Sequence, residues 1–278
     1  FRKGYTIKPK EILGTGEIRF TDGTNDVIPN QNACEAYGYT YNTATGTCNA
    51  FNYNSSLNRK FNNITNNTSG GQTESGTRNT LINGQESVTK GNNFNNIING
   101  EKHQIENSIN NSIILGGSYG QIKNQGEVVI GGGGFQEALG LGLSQQSFIQ
   151  QSNKTSDATE TALLTQYLPL TYIQKVANSV IGFEANVIGV NYGGEGEVGE
   201  YGYFQLTGAV KFTNGLVSDY HQTVHALVPH GHSGLNLTGE MKDVTATSFG
   251  VHVTGIAGTR IQWTASVKLW QNQLQITI

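Results

Sequence analysis

The sequence predicts an all-β protein in three parts. These are an N-terminal β-hairpin region (1–58), a β-roll or β-solenoid stalk (59–144) and a C-terminal antiparallel β-sandwich of jelly-roll type (145–278). Three observations lead there. Of 278 residues, 37 are Gly and 30 are Asn, only 36% are apolar and one is Met, a composition that supplies turns and short strands rather than helix faces. The middle of the chain carries a repeated motif. The C-terminal half alternates apolar and polar residues with period two.

In the N-terminal part, Gly16-Glu17-Ile18-Arg19-Phe20-Thr21-Asp22-Gly23-Thr24 reads as a short strand and turn. Tyr37, Tyr39 and Tyr41 alternate between Cys34 and Cys48, before the turn residues Asn42 to Gly46. This is a β-hairpin that a Cys34–Cys48 disulfide would staple; two free thiols are the alternative.

The stalk is lean. From Asn52 to Asn111, 12 of 60 residues are apolar, too few for an independent segment to offset its ordering entropy. Those residues nevertheless recur. Leu81-Ile82-Asn83-Gly84, Ile97-Ile98-Asn99-Gly100, Ile113-Ile114-Leu115-Gly116 and Val128-Val129-Ile130-Gly131 place glycines 16, 16 and 15 residues apart. Val88, Ile105 and Ile122 fall between them. The reading is a stack of coils of two short strands each, with Gly and Asn at corners that need a positive φ. A coil with two or three apolar side chains buries little by itself, so the expected assembly is a homotrimer in which two identical chains complete the interior.

The C-terminal strands follow from alternation. Phe204, Leu206, Gly208, Val210 and Phe212 share one face; Ile261, Trp263, Ala265, Val267 and Leu269 repeat the pattern. Ile181, Phe183, Ala185 and Val187 give another strand, Val251, Val253 and Gly255 a further one, and Leu274, Ile276 and Ile278 a last one.

The coil motif resembles the head repeats of trimeric adhesins of the YadA type and the Asn/Gly repeats of tailed-phage fibres. The C-terminal half resembles a domain of phage fibre and tail-appendage proteins. That likeness is carried by Lys154-Thr155-Ser156-Asp157-Ala158-Thr159-Glu160-Thr161, by Asn178 to Gly189, and by Gly258 to Val267. It implies a structural virion component, a trimeric fibre or spike. Its N-terminal region would bind other virion proteins, and its distal part a glycan or protein receptor on the host surface. A capsid-decorating fibre, a bacterial adhesin passenger and a polysaccharide depolymerase are the alternatives.

Charge narrows the partners. With 17 Lys+Arg against 20 Asp+Glu and a net charge of −3, no clustered cations are available for nucleic-acid phosphates. The apolar runs are too short for a membrane-spanning helix. The first residue is Phe, so a processed or partial product is expected.

No catalytic motif emerges, and the expectation is a non-enzyme without cofactor. Glu195, Glu197 and Glu200 cluster in a Gly-rich loop with Asp219 downstream; the pair of carboxylates a glycosidase needs is held on a rigid scaffold, and a solvated loop is the reading here. His230-Gly231-His232, near His221 and His225, is an HxH pattern that an extended strand would present to one metal ion; a polar loop is the alternative.

Overall fold

The computed structural model describes residues 7–43, 45–50, 64–66, 77–133, 140–228 and 237–274. Strands dominate these residues, and the chain divides into two units, 1–62 and 63–278.

In the first unit, β1 (Lys8–Ile12), β2 (Ile18–Thr21) and β3 (Asp26–Val27) form an antiparallel sheet, and β4 (Thr40–Asn42) pairs with β5 (Thr47–Asn49) as a hairpin. Cys34 does not lie on a hairpin strand as the sequence suggests. It sits on a short helix, α1 (Gln31–Ala36), whose N-cap Asn30 accepts a 2.8 Å hydrogen bond from the Ala33 N–H. An Asn four residues ahead of the cysteine is enough to satisfy the first turn and start the helix. Cys34 and Cys48 are joined by a disulfide, buried with Ile18, Phe20 and Ala50.

The second unit opens with a coil stack. Its strands are β6 (Ile64–Asn66), β7 (Thr80–Gln85), β8 (Val88–Thr89), β9 (Ile97–Glu101), β10 (Gln104–Ile105), β11 (Ile113–Ile114), β12 (Gln121–Ile122) and β13 (Val128–Ile130). Thr80, Ile97, Ile113 and Val128 are successive partners in one parallel sheet. Val88, Gln104 and Gln121 are partners in a second. The register moves two expected contacts: Leu81, not Ile82, pairs with Ile98, and Thr89, not Val88, aligns with Ile105 and Ile122 and is buried with them. Non-glycine residues take left-handed corners as well as glycines. Arg78, Asn95 and Asn111 each have φ near +58°, in the place where Gly126 has +64°.

The interior of the stack is filled from one chain, which corrects the premise that it must come from sister chains. Ile98, Ile105, Ile109, Ile114, Ile122 and Val129 form a continuous buried cluster. Beside it runs a column of buried polar side chains, each accepting the equivalent backbone N–H of the next coil. Asn79 Oδ1 accepts from Asn96 N (3.1 Å), Asn96 Oδ1 from Ser112 N (2.9 Å), and Ser112 Oγ from Glu127 N (3.2 Å). The amide of Asn96 also donates to Asn79 Oδ1 and to the Ile109 carbonyl. Buried polar groups are tolerated in this column because their side chains bond the backbone of the next coil.

The C-terminal strands are β14 (Ser144–Thr155), β15 (Glu160–Ala162), β16 (Ile173–Gln174), β17 (Ser179–Gly194), β18 (Tyr201–Thr213), β19 (Leu216–Val228), β20 (Thr238–Thr245), β21 (Ser248–Thr254) and β22 (Thr259–Gln273). Five long antiparallel strands, ordered β19-β18-β17-β22-β14, face a smaller sheet of β15, β21, β16 and β20. One core joins them, with Phe183, Phe204, Leu206, Phe212 and Trp263 from the large sheet against Leu163, Ile173, Met241, Phe249 and Val251. Gln151 ties the layers, donating to the Leu163 carbonyl and accepting from Val251 N. Of the expected terminal strand, Leu274 is exposed beyond β22; Ile276 and Ile278 lie outside the described residues.

The large sheet does not stop at residue 144. β13 pairs antiparallel with β14, Val128 opposite Phe148, so ten strands run from the sandwich through the coil stack. Gln145 caps the junction by bonding both the Gln121 N–H and the Gln121 carbonyl.

Candidate binding face

The face of the large sheet turned away from the core is the candidate functional surface. Period-two alternation places on it Gln146, Phe148, Gln150, Ser152 and Lys154 of β14, and Gln262, Thr264, Ser266, Lys268 and Trp270 of β22.

At the coil end this face is apolar. Each Ile-Ile or Val-Val pair of the repeat splits: Ile98, Ile114 and Val129 go inward, while Ile97, Ile113 and Val128 go outward in register. Exposed Leu115 and Ile130 extend the stripe, and Ile130 leads through Gln146 to Trp270, which is 42% exposed. Lys268 Nζ stands 4.6 Å from the Trp270 ring centroid and 5.8 Å from that of Phe148.

The middle of the face is polar and internally bonded. Glu184 Oε1 accepts from Asn186 Nδ2 (3.1 Å) and Gln205 Nε2 (3.0 Å), and Tyr203 donates to Asn186 Oδ1 (2.9 Å).

At the far end the face hollows into an open groove of about 640 Å³, floored by Ser152, Lys154, Gln262 and Thr264 and walled by Tyr167. The loop carrying Tyr167 is tied to the floor strand, because Ser152 and Leu164 exchange both backbone hydrogen bonds (2.9 and 3.1 Å). Thr165 and Thr171 close the loop through backbone and hydroxyl contacts. Lys154 Nζ lies 5.1 Å from the centroid of the Tyr192 ring.

Among the described residues, those singled out in the sequence are not gathered into one metal or catalytic cluster. His230 and His232 lie outside the described residues. His221 and His225 are exposed on β19; His221 contacts Asp219 (3.3 Å) and His225 contacts Thr207 (3.2 Å). Glu195, Glu197 and Glu200 occupy the β17–β18 loop. That loop is fastened rather than loose: Asn191 Nδ2 and Thr259 Oγ1 donate to the Glu195 carbonyl, and Glu200 Oε2 accepts from Glu197 N. Asp219 lies apart on β19. Among the described residues no three His, Cys, Asp or Glu side chains are grouped to hold a metal ion. No helix there is long and apolar enough to cross a membrane.

Sequence reasoning missed two buried titratable groups. Glu127, enclosed at the junction, is pushed above the usual carboxylate range by burial, although Lys123 N, Asn124 N and Asn124 Nδ2 all donate to its Oε2. His103 is buried in the stack, accepts from Gly120 N at Nδ1 (2.9 Å), and is held below the usual imidazole range by desolvation. Its only signal in the sequence was a lone histidine inside the repeat.

No family model and no curated protein matches the chain. Among solved structures, the tailspike of Acinetobacter baumannii phage AM24 is similar at 8% identity and a TM-score of 0.26, over 77% of this chain and 49% of that one. A tailspike of Acinetobacter baumannii bacteriophage Fri1, described as a capsular polysaccharide depolymerase, gives 8% and 0.26 over 72% and 44%. The tailspike of Acinetobacter phage vB_ApiP_P1 gives 10% and 0.22 over 74% and 44%. The matches span about half the length of those proteins.

Proposed function

We propose that this chain is a structural attachment component of a tailed-phage particle, a homotrimeric fibre or spike that holds its C-terminal sandwich toward a host surface. One observation carries the reading: the apolar stripe of Ile97, Ile113, Leu115, Val128, Ile130 and Trp270 on a sheet that runs unbroken from coils to sandwich. Contiguous exposed apolar surface marks an interaction site. The stripe repeats with the rung spacing of the coils, so the partner whose spacing matches it rung for rung is another copy of the same stripe. Three copies around an axis along the stack cover it and leave the far end of each sandwich outward, where multivalent display raises avidity.

Native mass spectrometry tests this. The wild-type chain is expected at three times its chain mass, and a variant with Ile97→Asn, Leu115→Asn and Ile130→Asn as a monomer that keeps its β-rich circular dichroism. A wild-type monomer at micromolar concentration overturns the trimer. Release of reducing ends from host capsule would replace the binding role with a depolymerase role of the kind named for the Fri1 protein.

A further inference from the structure

The groove at the far end of the sandwich has the chemistry of a carbohydrate site. Tyr167 is 69% exposed on a loop closed by its own hydrogen bonds, so an aromatic face is held out in water in a fixed position. The floor differs from the polar strip beside it. Glu184, Asn186, Tyr203 and Gln205 satisfy one another, whereas the side chains of Ser152, Gln262 and Thr264 make no hydrogen bond to any described residue. Lys154 forms no ion pair among the described residues, nor does Arg260, two residues before Gln262 on the same face of β22.

We propose that this groove binds an acidic oligosaccharide, a sugar chain bearing carboxylates; the assignment rests on the attachment role proposed above. A pyranose ring has an apolar C–H face and a rim of hydroxyls. The C–H face lies on the Tyr167 ring, whose π-face is electron-rich. The hydroxyls meet the hydroxyls of Ser152 and Thr264 and the amide of Gln262, which both donate and accept. Lys154 and Arg260 meet the carboxylates. An apolar ligand would leave this floor unmatched, and a neutral glycan would leave both cations without a counter-ion. The groove begins at Ser152, six residues along β14 from Gln146 at the edge of the apolar stripe, or roughly 20 Å, so trimer formation through the stripe keeps it open.

The test uses the full-length chain against immobilised bacterial capsular polysaccharides, a set with uronic acids and a neutral set, and against intact bacteria of the same strains. The wild type is expected to bind members of the acidic set. Tyr167→Ala should weaken that binding by about ten-fold. Lys154→Gln should weaken it and flatten its dependence on salt, with native mass and thermal midpoint unchanged in both variants. Binding that neither substitution alters overturns the groove and leaves the attachment role standing. Binding to the neutral set alone overturns the acidic class, and binding to bacteria but to no polysaccharide overturns a glycan ligand. A wild type that binds neither polymers nor bacteria overturns the attachment role itself.

Discussion

Replacing Asn96 tests whether a polar column can serve as the interior of the coil stack. The side chain is buried and makes three hydrogen bonds: it accepts from Ser112 N (2.9 Å) and donates to Asn79 Oδ1 (3.0 Å) and to the Ile109 carbonyl (2.9 Å). In Asn96→Leu, a change that keeps side-chain size, Asn79 Oδ1 still receives the residue-96 backbone N–H (3.1 Å). The Ser112 N–H and one bond to the Ile109 carbonyl have no replacement. Each orphaned buried group costs about 1–3 kcal/mol, so the expected loss is about 3–4 kcal/mol. Amide hydrogen exchange read at Ser112 should accelerate at least a hundred-fold, roughly what 3 kcal/mol of easier opening produces. Were the stack an ordinary apolar core short of apolar residues, leucine would be neutral or stabilising. A variant within about 0.5 kcal/mol of the parent, or above it, refutes the ladder.

Four further outcomes follow from other parts of the molecule. Glu127 has its acidity weakened by burial, so its contribution to stability is greatest below the unfolded carboxylate value and falls as pH rises from there through the raised folded value. Glu127→Gln should therefore melt higher than the parent at pH 7.5, with the gap closing on acidification; a gap that widens toward acid contradicts this. His103 works in the opposite sense: its lowered value makes stability complete above about pH 6.5 and lost as pH falls through the folded value, so His103→Gln should flatten the acid limb of melting temperature against pH. Gly117→Ala would place a methyl 2.8 Å from Gly131 Cα at a backbone φ of +95°; thermal denaturation should show a loss of about 2 kcal/mol or more, against little change for Gly133→Ala, where the space is open. Reducing the Cys34–Cys48 bridge, a 14-residue separation, should lower the stability of the first unit by about 3 kcal/mol, seen as faster proteolysis within residues 7–50 but not in the sandwich.

Much of the architecture follows from local pattern. Period-two alternation identified β17, β18, β21 and β22, because a strand buried on one face must alternate whatever its neighbours are. The 16-residue recurrence gave the coil register to within a residue, missing that Leu81 rather than Ile82 pairs with Ile98 and that Thr89 takes the place assigned to Val88. The helix at Gln31–Ala36 escaped notice because one turn carries no periodicity; only its Asn30 cap announced it.

The larger misreading concerned what fills a coil. Counting apolar residues alone made the stalk too lean to enclose its own interior, since Asn79, Asn96 and Ser112 look like surface residues until their bonds to the next coil are seen. Composition and spacing were sufficient for strands, turns and a repeat, because these depend on which side chains a short stretch of backbone accepts. Tertiary structure alone decided which isoleucine of each pair turns inward, that β13 and β14 fuse stack and sandwich into one sheet, and that Tyr167 lines the same groove as Lys154 and Gln262. Each of these is a meeting of residues far apart in sequence, fixed by register and by the closure of hydrogen bonds across strands rather than by any segment's own preference.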